Sequence, residues 1–311
     1  MPTLPDWRRA HGPSLFQGQI RATAAEFRVD ELLSVEFSGD GEHDWLQVEK
    51  TGANTDWVAQ QLARHAGADP RDVGYSGLKD RHAVTIQWFS VRAPAATDWQ
   101  ALIVDGVRVL DRQRHRRKLR RGTHSANRFR IALRGQDLPA IQGPIEVRLA
   151  LVGGQGIPNY FGEQRFGRDG GNLDLGRAAL DGRRLPRHKR SLGLSALRSK
   201  AFNDELDERI AAGTWNRMLP GDTANLDGSG SLFPVDEVSE EIERRCVELD
   251  IHPTGILPAL GDRGVAESRR PLRARVRELR WTIEGDALWL EFTLGRGSYA
   301  TAVLREIATH D

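Results

Sequence analysis

The order of two periodicities along the chain most limits the folds open to it. Near the start, apolar and polar residues alternate at period two, as in residues 26–32 and 43–50, which is the pattern of half-buried strands. Residues 172–213 change to helical spacing, and alternation returns in residues 275–284 and 287–294. Strands, then helices, then strands predict an α+β fold with a mainly antiparallel sheet.

The same order predicts an inserted domain. Residues 1–152 and 271–311 are expected to form two parts of one domain, and residues 153–270 the insertion. Turn residues and periodicity predict the remaining elements. These are strands at 83–91, 107–110, 128–133 and 145–152, helices from Thr55 to Gly67, at 238–249 and from Tyr299 onward, and loop-rich segments at 220–236 and 251–264.

Composition excludes several classes of protein. The 311 residues are 39% hydrophobic and 28% charged, which suffices for two folded domains. The single cysteine, Cys246, excludes an internal disulfide framework and cysteine-rich metal sites, and it fits a reducing compartment. No apolar stretch reaches the roughly 18 residues of a membrane span, and the first residues lack the apolar run of a signal peptide. We therefore expect a cytoplasmic protein with no membrane contact.

Basic residues are clustered although the net charge is only +2. Residues 112–121 (RQRHRRKLRR) hold seven Lys or Arg in ten positions, and residues 183–190 (RRLPRHKR) form a second cluster. Such clusters indicate a local field for a polyanion, and they are equally typical of solvated arginine-rich turns.

The densest candidate for chemistry is residues 74–82 (GYSGLKDRH). Gly74 and Gly77 permit tight backbone geometry just before a predicted strand. Asp80, between Lys79 and Arg81, fits three interpretations: a nucleophile, a general base, or a turn residue in a local ion pair. The spacing of a phosphate-binding loop is absent.

Several segments resemble the signatures of one family of enzymes. Residues 77–85 (GLKDRHAVT) are similar to the G-x-K-D-[KR]-x-A-x-T signature of the TruD pseudouridine synthases. Other segments resemble the family in the family's own order: EFRV at 26–29, GEH at 41–43, GTHSANRFRI at 122–131, IPNYFGEQRFG at 157–167 and GSYATAVLRE at 297–306.

The resemblance implies an isomerase that converts uridine to pseudouridine in tRNA, usually at position 13 of the D-arm. It implies a pseudouridine synthase catalytic domain (1–152 and 271–311) with an inserted α/β TRUD domain (153–270). Asp80 would be the nucleophile, acting on a flipped base, since a carboxylate is ionised at neutral pH without an activating base. The reaction has no redox change, so no cofactor or metal is expected.

The resemblance also implies the substrate contacts Phe27, Asn127, Phe129 and Tyr299. Asn127 and Phe129 lie two apart on a predicted strand and share one face, with Phe129 beside the uracil ring. For the three aromatic residues, ordinary core packing is the alternative interpretation.

A basic residue next to Asp80 would orient its carboxylate. Arg21 is the first choice, because the family carries Lys or Arg at this position. Lys79 and Arg165 are the alternatives.

Together with this resemblance, the basic clusters indicate RNA-contacting surfaces. The partner is expected to be tRNA, bound by a monomer without an obligate protein partner. The expected RNA contacts are Arg116, Arg117, Lys118, Arg187, Lys189 and Arg190.

The chain departs from the family pattern in two places, and three other functions are alternatives to pseudouridine synthesis. Tyr299 stands where the family often has Phe, and residues 168–270 match the family more weakly. An RNA-binding module would not need Asp80, and a hydrolase would need a second carboxylate such as Glu163 or Glu306. A purely structural protein has only the bulk composition in its favour.

Overall fold

The computed structural model describes residues 4–226, 231–249 and 251–310, which group into two compact units. We call the described residues of Phe16–Gln142, Arg277–Arg296 and Thr309–Asp311 the sheet unit. The described residues of Met1–Leu15, Gly143–Val276 and Gly297–Ala308 form the helical unit. This grouping places 4–15 and 297–308 with the central segment, and the domain division drawn from the sequence stays a prediction.

Ten strands of the sheet unit form one sheet, with elements numbered along the whole chain. The strands are β1 (Gln17–Ile20), β2 (Phe27–Leu32), β3 (His43–Lys50), β4 (Gly74–Tyr75), β5 (Val84–Arg92), β6 (Val107–His115), β7 (Ala126–Gly135), β14 (Val276–Glu284), β15 (Ala287–Gly295) and β16 (Thr309–His310). The main path runs β14-β15-β7-β2-β5-β3-β6. The β2–β5 and β1–β16 pairs are parallel. β7 pairs antiparallel with β1, β2 and β15, and β3 pairs antiparallel with β5 and β6. The predicted α+β fold with a mainly antiparallel sheet is confirmed.

Helix α1 (Thr55–Ala66) packs against one face of this sheet. Val58 and Leu62, four residues apart, are fully buried in a cluster with Leu46, Val48 and Phe89. Gly67 ends the helix in the left-handed conformation at φ 64°, as predicted. The N-cap, however, is Asn54 rather than the predicted Thr55.

The helical unit contains five α-helices and two small sheets among its described residues. The helices are α2 (Gln142–Gln155), α3 (Gly171–Leu180), α4 (Arg187–Ala211), α5 (Glu240–Glu248) and α6 (Ala300–Arg305). The strands are β8 (Ile157–Pro158), β9 (Thr223–Leu226), β10 (Leu232–Pro234), β11 (Ile251–Leu257), β12 (Ser268–Pro271) and β13 (Arg273–Ala274). One sheet has the order β10-β9-β11-β12, and the other pairs β13 with β8. No helix among the described residues is both long and apolar enough to cross a membrane.

Two sequence predictions for this region were wrong. Residues 145–152, predicted as a strand, belong to α2: Ile145, Leu149 and Val152 are buried at helical spacing, whereas Val147 is 65% exposed. The predicted loop 251–264 contains β11, which sits between β9 and β12. Its Gly255 is needed because a Cβ there would lie 2.9 Å from the Phe202 ring of α4.

The predicted helical region 172–213 is two helices. Gly176 of α3 and Gly193 of α4 allow their backbones to touch, since a Cβ on Gly176 would lie 2.5 Å from the Gly193 carbonyl oxygen. Strand β6 extends five residues beyond the predicted 107–110 and takes in the first four positions of the first arginine cluster, including Arg112 and Arg114.

Candidate active site around Asp80

Asp80 lies in the loop between β4 and β5, with its side chain 35% exposed. Its Oδ2 is 3.0 Å from Nη2 of Arg21, and its Oδ1 accepts a hydrogen bond of 2.9 Å from the backbone N–H of His82. The Arg21 guanidinium in turn lies 4.2 Å above the centre of the Phe27 ring. Both carboxylate oxygens therefore have a fixed direction, while the group stays open to solvent.

Arg21, and neither of the alternatives, is the basic partner of Asp80 in the structure. The Nζ of Lys79 is 2.8 Å from Oε2 of Glu31, and this ion pair is almost fully buried. Arg165 belongs to the helical unit, where its Nε donates to Ser199 Oγ. Arg21 itself has a φ of 58°, a conformation that costs a non-glycine residue energy and is often found at functional sites.

A buried lysine holds the backbone of the Asp80 loop. Lys50 ends β3 with no exposed surface, and its Nζ donates to the carbonyl oxygens of Ala53 at 2.9 Å, Asp80 at 3.2 Å and Lys79 at 3.5 Å. Loops seldom receive a charged donor from within the core, because burying an ammonium is costly. We infer that Lys50 fixes the path of the chain at Asp80.

Burial lowers the pKa of Lys50 from its ordinary 10.5 to about 8, against the opposing effect of the Asp80 charge. Between pH 8 and 10.5 the folded chain then binds fewer protons at this site than the unfolded chain. We expect the free energy of unfolding of the wild type to rise across that window, relative to Lys50→Met, by up to about 3 kcal/mol. Denaturant unfolding of both proteins at several pH values checks this, and parallel pH curves would contradict it.

Hydrogen bonds to side chains fix the rest of the loop. Thr55 Oγ1 accepts from the backbone N–H of Lys79 at 3.1 Å and donates to Gln87 Oε1 at 2.9 Å. The Gln87 amide donates to the Gly77 carbonyl at 3.2 Å. This explains why Thr55 does not cap α1: its hydroxyl is used by the loop.

Ser76 and His124 connect the loop to the segment before β7. The Ser76 hydroxyl accepts from the backbone N–H of His124 at 2.8 Å and lies 2.6 Å from its Nδ1. Burial, with the nearby positive charge of Lys79, lowers the pKa of His124, so a neutral ring is favoured at pH 7.

The predicted substrate contacts of the sheet unit share one face of the sheet. Phe27 pairs with Ile131, and β2 continues so that Glu31 pairs with Asn127 of β7. Because directly opposed residues point to the same face, Phe27, Asn127 and Phe129 lie on one side.

The structure also places Phe129 and Phe27 in packed surroundings. Phe129 is 7% exposed and stacks on Phe292, with ring centroids 5.3 Å apart. Phe27 is 4% exposed beneath Arg21. Tyr299 belongs to the helical unit, where it lies 6.4 Å from Phe161 between ring centroids and immediately precedes α6.

Five buried side-chain polar atoms of the sheet unit lack a hydrogen-bond partner in the described part of the chain, and three of them bear on the Asp80 site. These three are Arg21 Nε, Thr85 Oγ1 and Asn127 Oδ1. Thr85 pairs with Val29 and therefore lies on the same sheet face as Phe27 and Asn127. Since buried polar groups are normally paired, unpaired ones near a candidate nucleophile are typical of a ligand site.

The first basic cluster is divided between structural and exposed side chains. Arg112 and Arg114, on β6, both pair with the buried Asp44, at 3.0 and 2.9 Å. Arg116 pairs with Asp40 at 2.7 Å on the surface, and Lys118 donates to the Arg71 carbonyl. Arg117 is exposed beside them.

The second basic cluster lies at the start of α4. Arg187 and Lys189 are exposed and Arg190 is partly exposed, and none of the three has an ion-pair partner among the described residues. The positive end of the helix dipole adds to their charge, so this region favours an anion.

The two carboxylates considered for a hydrolase lie in the helical unit. Glu163 is exposed in a short 3₁₀ helix, Glu163–Arg165. Glu306 is 1% exposed and accepts a hydrogen bond from the backbone N–H of His11, and burial raises its pKa.

Lys50 and Glu31 were missed in the sequence, although a signal was present. Lys50 shares the parity of Leu46 and Val48 on β3, and Glu31 shares that of Phe27 and Val29 on β2. A charged residue at a core-facing register is expensive unless it is bonded, and such positions deserve examination as site residues.

Comparisons with known proteins identify the family of this chain. The family model described as tRNA pseudouridine synthase D (TruD) matches residues 12–183 and 258–307. A tRNA pseudouridine synthase D of Methylococcus capsulatus is 45% identical, with 100% of this chain and 96% of the relative covered. That of Azotobacter vinelandii is 43% identical over 96% of this chain and 93% of its own length.

A solved structure supports the fold. The crystal structure from Methanosarcina mazei that bears the TruD name aligns with a TM-score of 0.76 over 98% of this chain and 96% of its own, at 20% identity. Residues 184–257 of this chain are not matched by the family model. They lie within residues 168–270, where the sequence resembles the family more weakly. The chain belongs to the tRNA pseudouridine synthase D (TruD) family.

Proposed function

We propose that this chain converts uridine to pseudouridine at position 13 in the D-arm of tRNA, with Asp80 as the nucleophile. Membership of the TruD family makes it a tRNA pseudouridine synthase, which is an isomerase. The observation that best supports the role of Asp80 is its carboxylate, which is accessible yet held by Arg21 and the His82 amide.

The proposed reaction breaks the N1–C1′ bond of the uridine, turns the uracil and forms a C5–C1′ bond. C5 loses a proton and N1 gains one, so the atoms balance without a cofactor. The uridine must leave the RNA stack for Asp80 to reach it. Asp80 then acts either at the ribose or at the base.

We propose substrate contacts from Phe27, Asn127, Phe129 and Tyr299. Asn127 Oδ1 and Thr85 Oγ1 are buried polar atoms that a uracil or ribose hydroxyl would satisfy. Phe129 stacks on Phe292, and the Phe27 ring lies under the Arg21 guanidinium. Tyr299 is proposed as a stacking residue whose hydroxyl also offers a hydrogen bond.

The test is pseudouridine formation on unmodified tRNA, located by carbodiimide labelling and primer extension. A product at position 13 supports the full proposal. A product elsewhere in the tRNA removes the D-arm assignment and keeps the enzyme class. No product on any tRNA, with tight RNA binding, favours an RNA-binding module.

Arg21→Met is expected to lower the rate of pseudouridine formation about 10- to 100-fold, because the Asp80 carboxylate loses its fixed direction. tRNA affinity should change much less. Arg28→Met is the matched control, since Arg28 pairs with Asp30 and Glu49 on the opposite sheet face. Single-turnover rates measure the effect, and equal rates for Arg21→Met and wild type would remove Arg21 from the site.

The exposed cluster on α4 is proposed to contact tRNA phosphates. Changing Arg187, Lys189 and Arg190 together to Gln should weaken tRNA binding and reduce the slope of log Kd against log salt by about 0.7–0.9 per lost contact. Arg244→Gln serves as the control, because Glu241 and Glu248 already neutralise this exposed charge. An unchanged slope in the triple variant would show that the cluster is only a solvated surface.

We also propose that the chain acts as a monomer in the cytoplasm, where its tRNA substrate is found. Sedimentation at micromolar concentrations with and without tRNA checks the oligomeric state.

A further inference from the structure

Two arginines of the helical unit face the ring of one phenylalanine. The Cζ of Arg270, on β12, lies 4.1 Å from the centre of the Phe161 ring, and the Cζ of Arg165 lies 5.0 Å from it. Arg270 is also 5.6 Å from the Phe202 ring and 5.9 Å from the Tyr299 ring. Three aromatic rings and two cations therefore occupy one small region.

Neither guanidinium forms an ion pair with a carboxylate in the part of the chain that the structure describes. Arg270 donates to the carbonyl oxygen and Oδ1 of Asn159, at 3.0 and 2.6 Å, and to the Gly297 carbonyl at 3.0 Å. Arg165 donates to the Ser199 hydroxyl at 3.1 Å. All of these acceptors are uncharged, so the two positive charges remain without a counter-charge.

The two charges also oppose each other. Burial and the nearby Arg165 lower the pKa of Arg270 to about 10, although Tyr299 acts in the other direction. A desolvated cation next to a second positive charge is costly, and a bound anion would offset that cost. An arginine pair with free N–H donors matches the oxygens of a phosphate.

We propose that Arg165 and Arg270 form a phosphate-binding site next to Tyr299 that takes one backbone phosphate of the tRNA substrate. This inference rests on the proposed function. RNA is the fitting source of the phosphate, because the aromatic rings beside the cations offer surfaces for a base or ribose. Arg165 thus has a role other than the one considered for it from the sequence.

Arg198 of the same unit shows what a purely structural arginine looks like. It donates to the carbonyl oxygens of Leu257, Pro258 and Ala266 and to the Ser268 hydroxyl. Its Nη2 alone makes three of these bonds, whereas the Arg165 guanidinium makes one hydrogen bond within the described residues. Arg198→Gln is therefore a control that removes a charge and several structural hydrogen bonds together.

The experiment measures Kd for tRNA over a range of KCl concentrations, in an Asp80→Asn background that prevents turnover. Arg165→Gln and Arg270→Gln should each weaken binding about tenfold and reduce the slope of log Kd against log salt by about 0.7–0.9. Arg198→Gln should leave the slope unchanged. Because the Arg165 side chain donates a single hydrogen bond among the described residues, its variant keeps the test valid if Arg270→Gln does not fold.

A second arm identifies the phosphate. tRNAs carrying one neutral methylphosphonate are bound to the Asp80→Asn protein and to both arginine variants. At the contacted position the neutral group should weaken tRNA binding to the Asp80→Asn protein about tenfold. It should not change tRNA binding to the two arginine variants. A purely structural role for the arginines would not produce this loss of effect.

Two results would overturn the proposal. One is an unchanged salt slope in both arginine variants. The other is thermal stabilisation by inorganic phosphate that requires both arginines, without any effect of them on tRNA binding, which would indicate a free phosphate ligand. Pseudouridine formation by the wild type is assayed separately, so a failed phosphate site and a failed enzyme assignment are distinguishable.

Discussion

Asp80→Asn is expected to abolish pseudouridine formation, with a loss of at least about 10³-fold in rate. The amide keeps the size of the side chain and can still bond to the His82 N–H, but it is no longer an anionic nucleophile. Affinity for tRNA should stay within a few-fold of the wild type, because RNA binding depends mainly on phosphate contacts. Carbodiimide labelling with primer extension measures the product, and filter binding measures the affinity.

Asp105→Asn is the matched control for this change. Asp105 is an exposed aspartate of the same unit, in the turn before β6, and it is expected to leave the rate unchanged. If Asp80→Asn retained a tenth or more of the wild-type rate, a nucleophilic role for Asp80 would be untenable. If it lost both activity and tRNA binding, the variant would instead point to a folding or RNA-contact role.

Lys50→Met is expected to have the second largest effect. Methionine fills much of the space but cannot donate, so the buried carbonyl oxygen of Ala53 and the partly buried ones of Lys79 and Asp80 lose their shared donor. Each unsatisfied buried group costs about 1–3 kcal/mol, and loop movement that relieves this cost displaces Asp80. The rate of pseudouridine formation should fall about 100-fold or more, while tRNA affinity changes little.

The split between rate and affinity separates positioning from general destabilisation. Rates are measured well below the unfolding temperature, with circular dichroism to establish that the variant is folded. Lys200→Met, which removes a partly exposed ion pair with Asp204 on α4, is the control and should keep the wild-type rate. A folded Lys50→Met protein with wild-type activity would show that the loop holds its path without Lys50.

Local patterns predicted much of the sheet unit because several of its strands alternate buried and partly exposed residues, as β2 does. Residues 43–50 were predicted as a strand, and β3 has those bounds. The same approach failed for residues 145–152, since a short apolar run fits both periods and only the partners of Ile145, Leu149 and Val152 decide between them. It failed for β11 because Pro253 and Gly255 are turn-type residues, tolerated there by packing against α4.

The candidate nucleophile and the family were predictable from sequence, because they depend on residue identities at fixed spacing along the chain. Asp80 and the segments around it are contiguous, and the matches at both ends made the family assignment possible. The sequence alone therefore determined the enzyme family, the α+β class and the position of the loop that carries Asp80.

Only the tertiary structure decided which side chains meet that loop. Arg21, and not Lys79, pairs with Asp80 in the structure. The Nζ of Lys50 donates to the backbone of the loop at Asp80, although the two residues are thirty positions apart in sequence. The tertiary structure also divided the arginine cluster at 112–121 into core ion pairs with Asp44 and exposed cations. The physical reason is that ion pairs and buried hydrogen bonds depend on distance and desolvation. Strand register and packing set both quantities, whereas residue spacing along the chain does not.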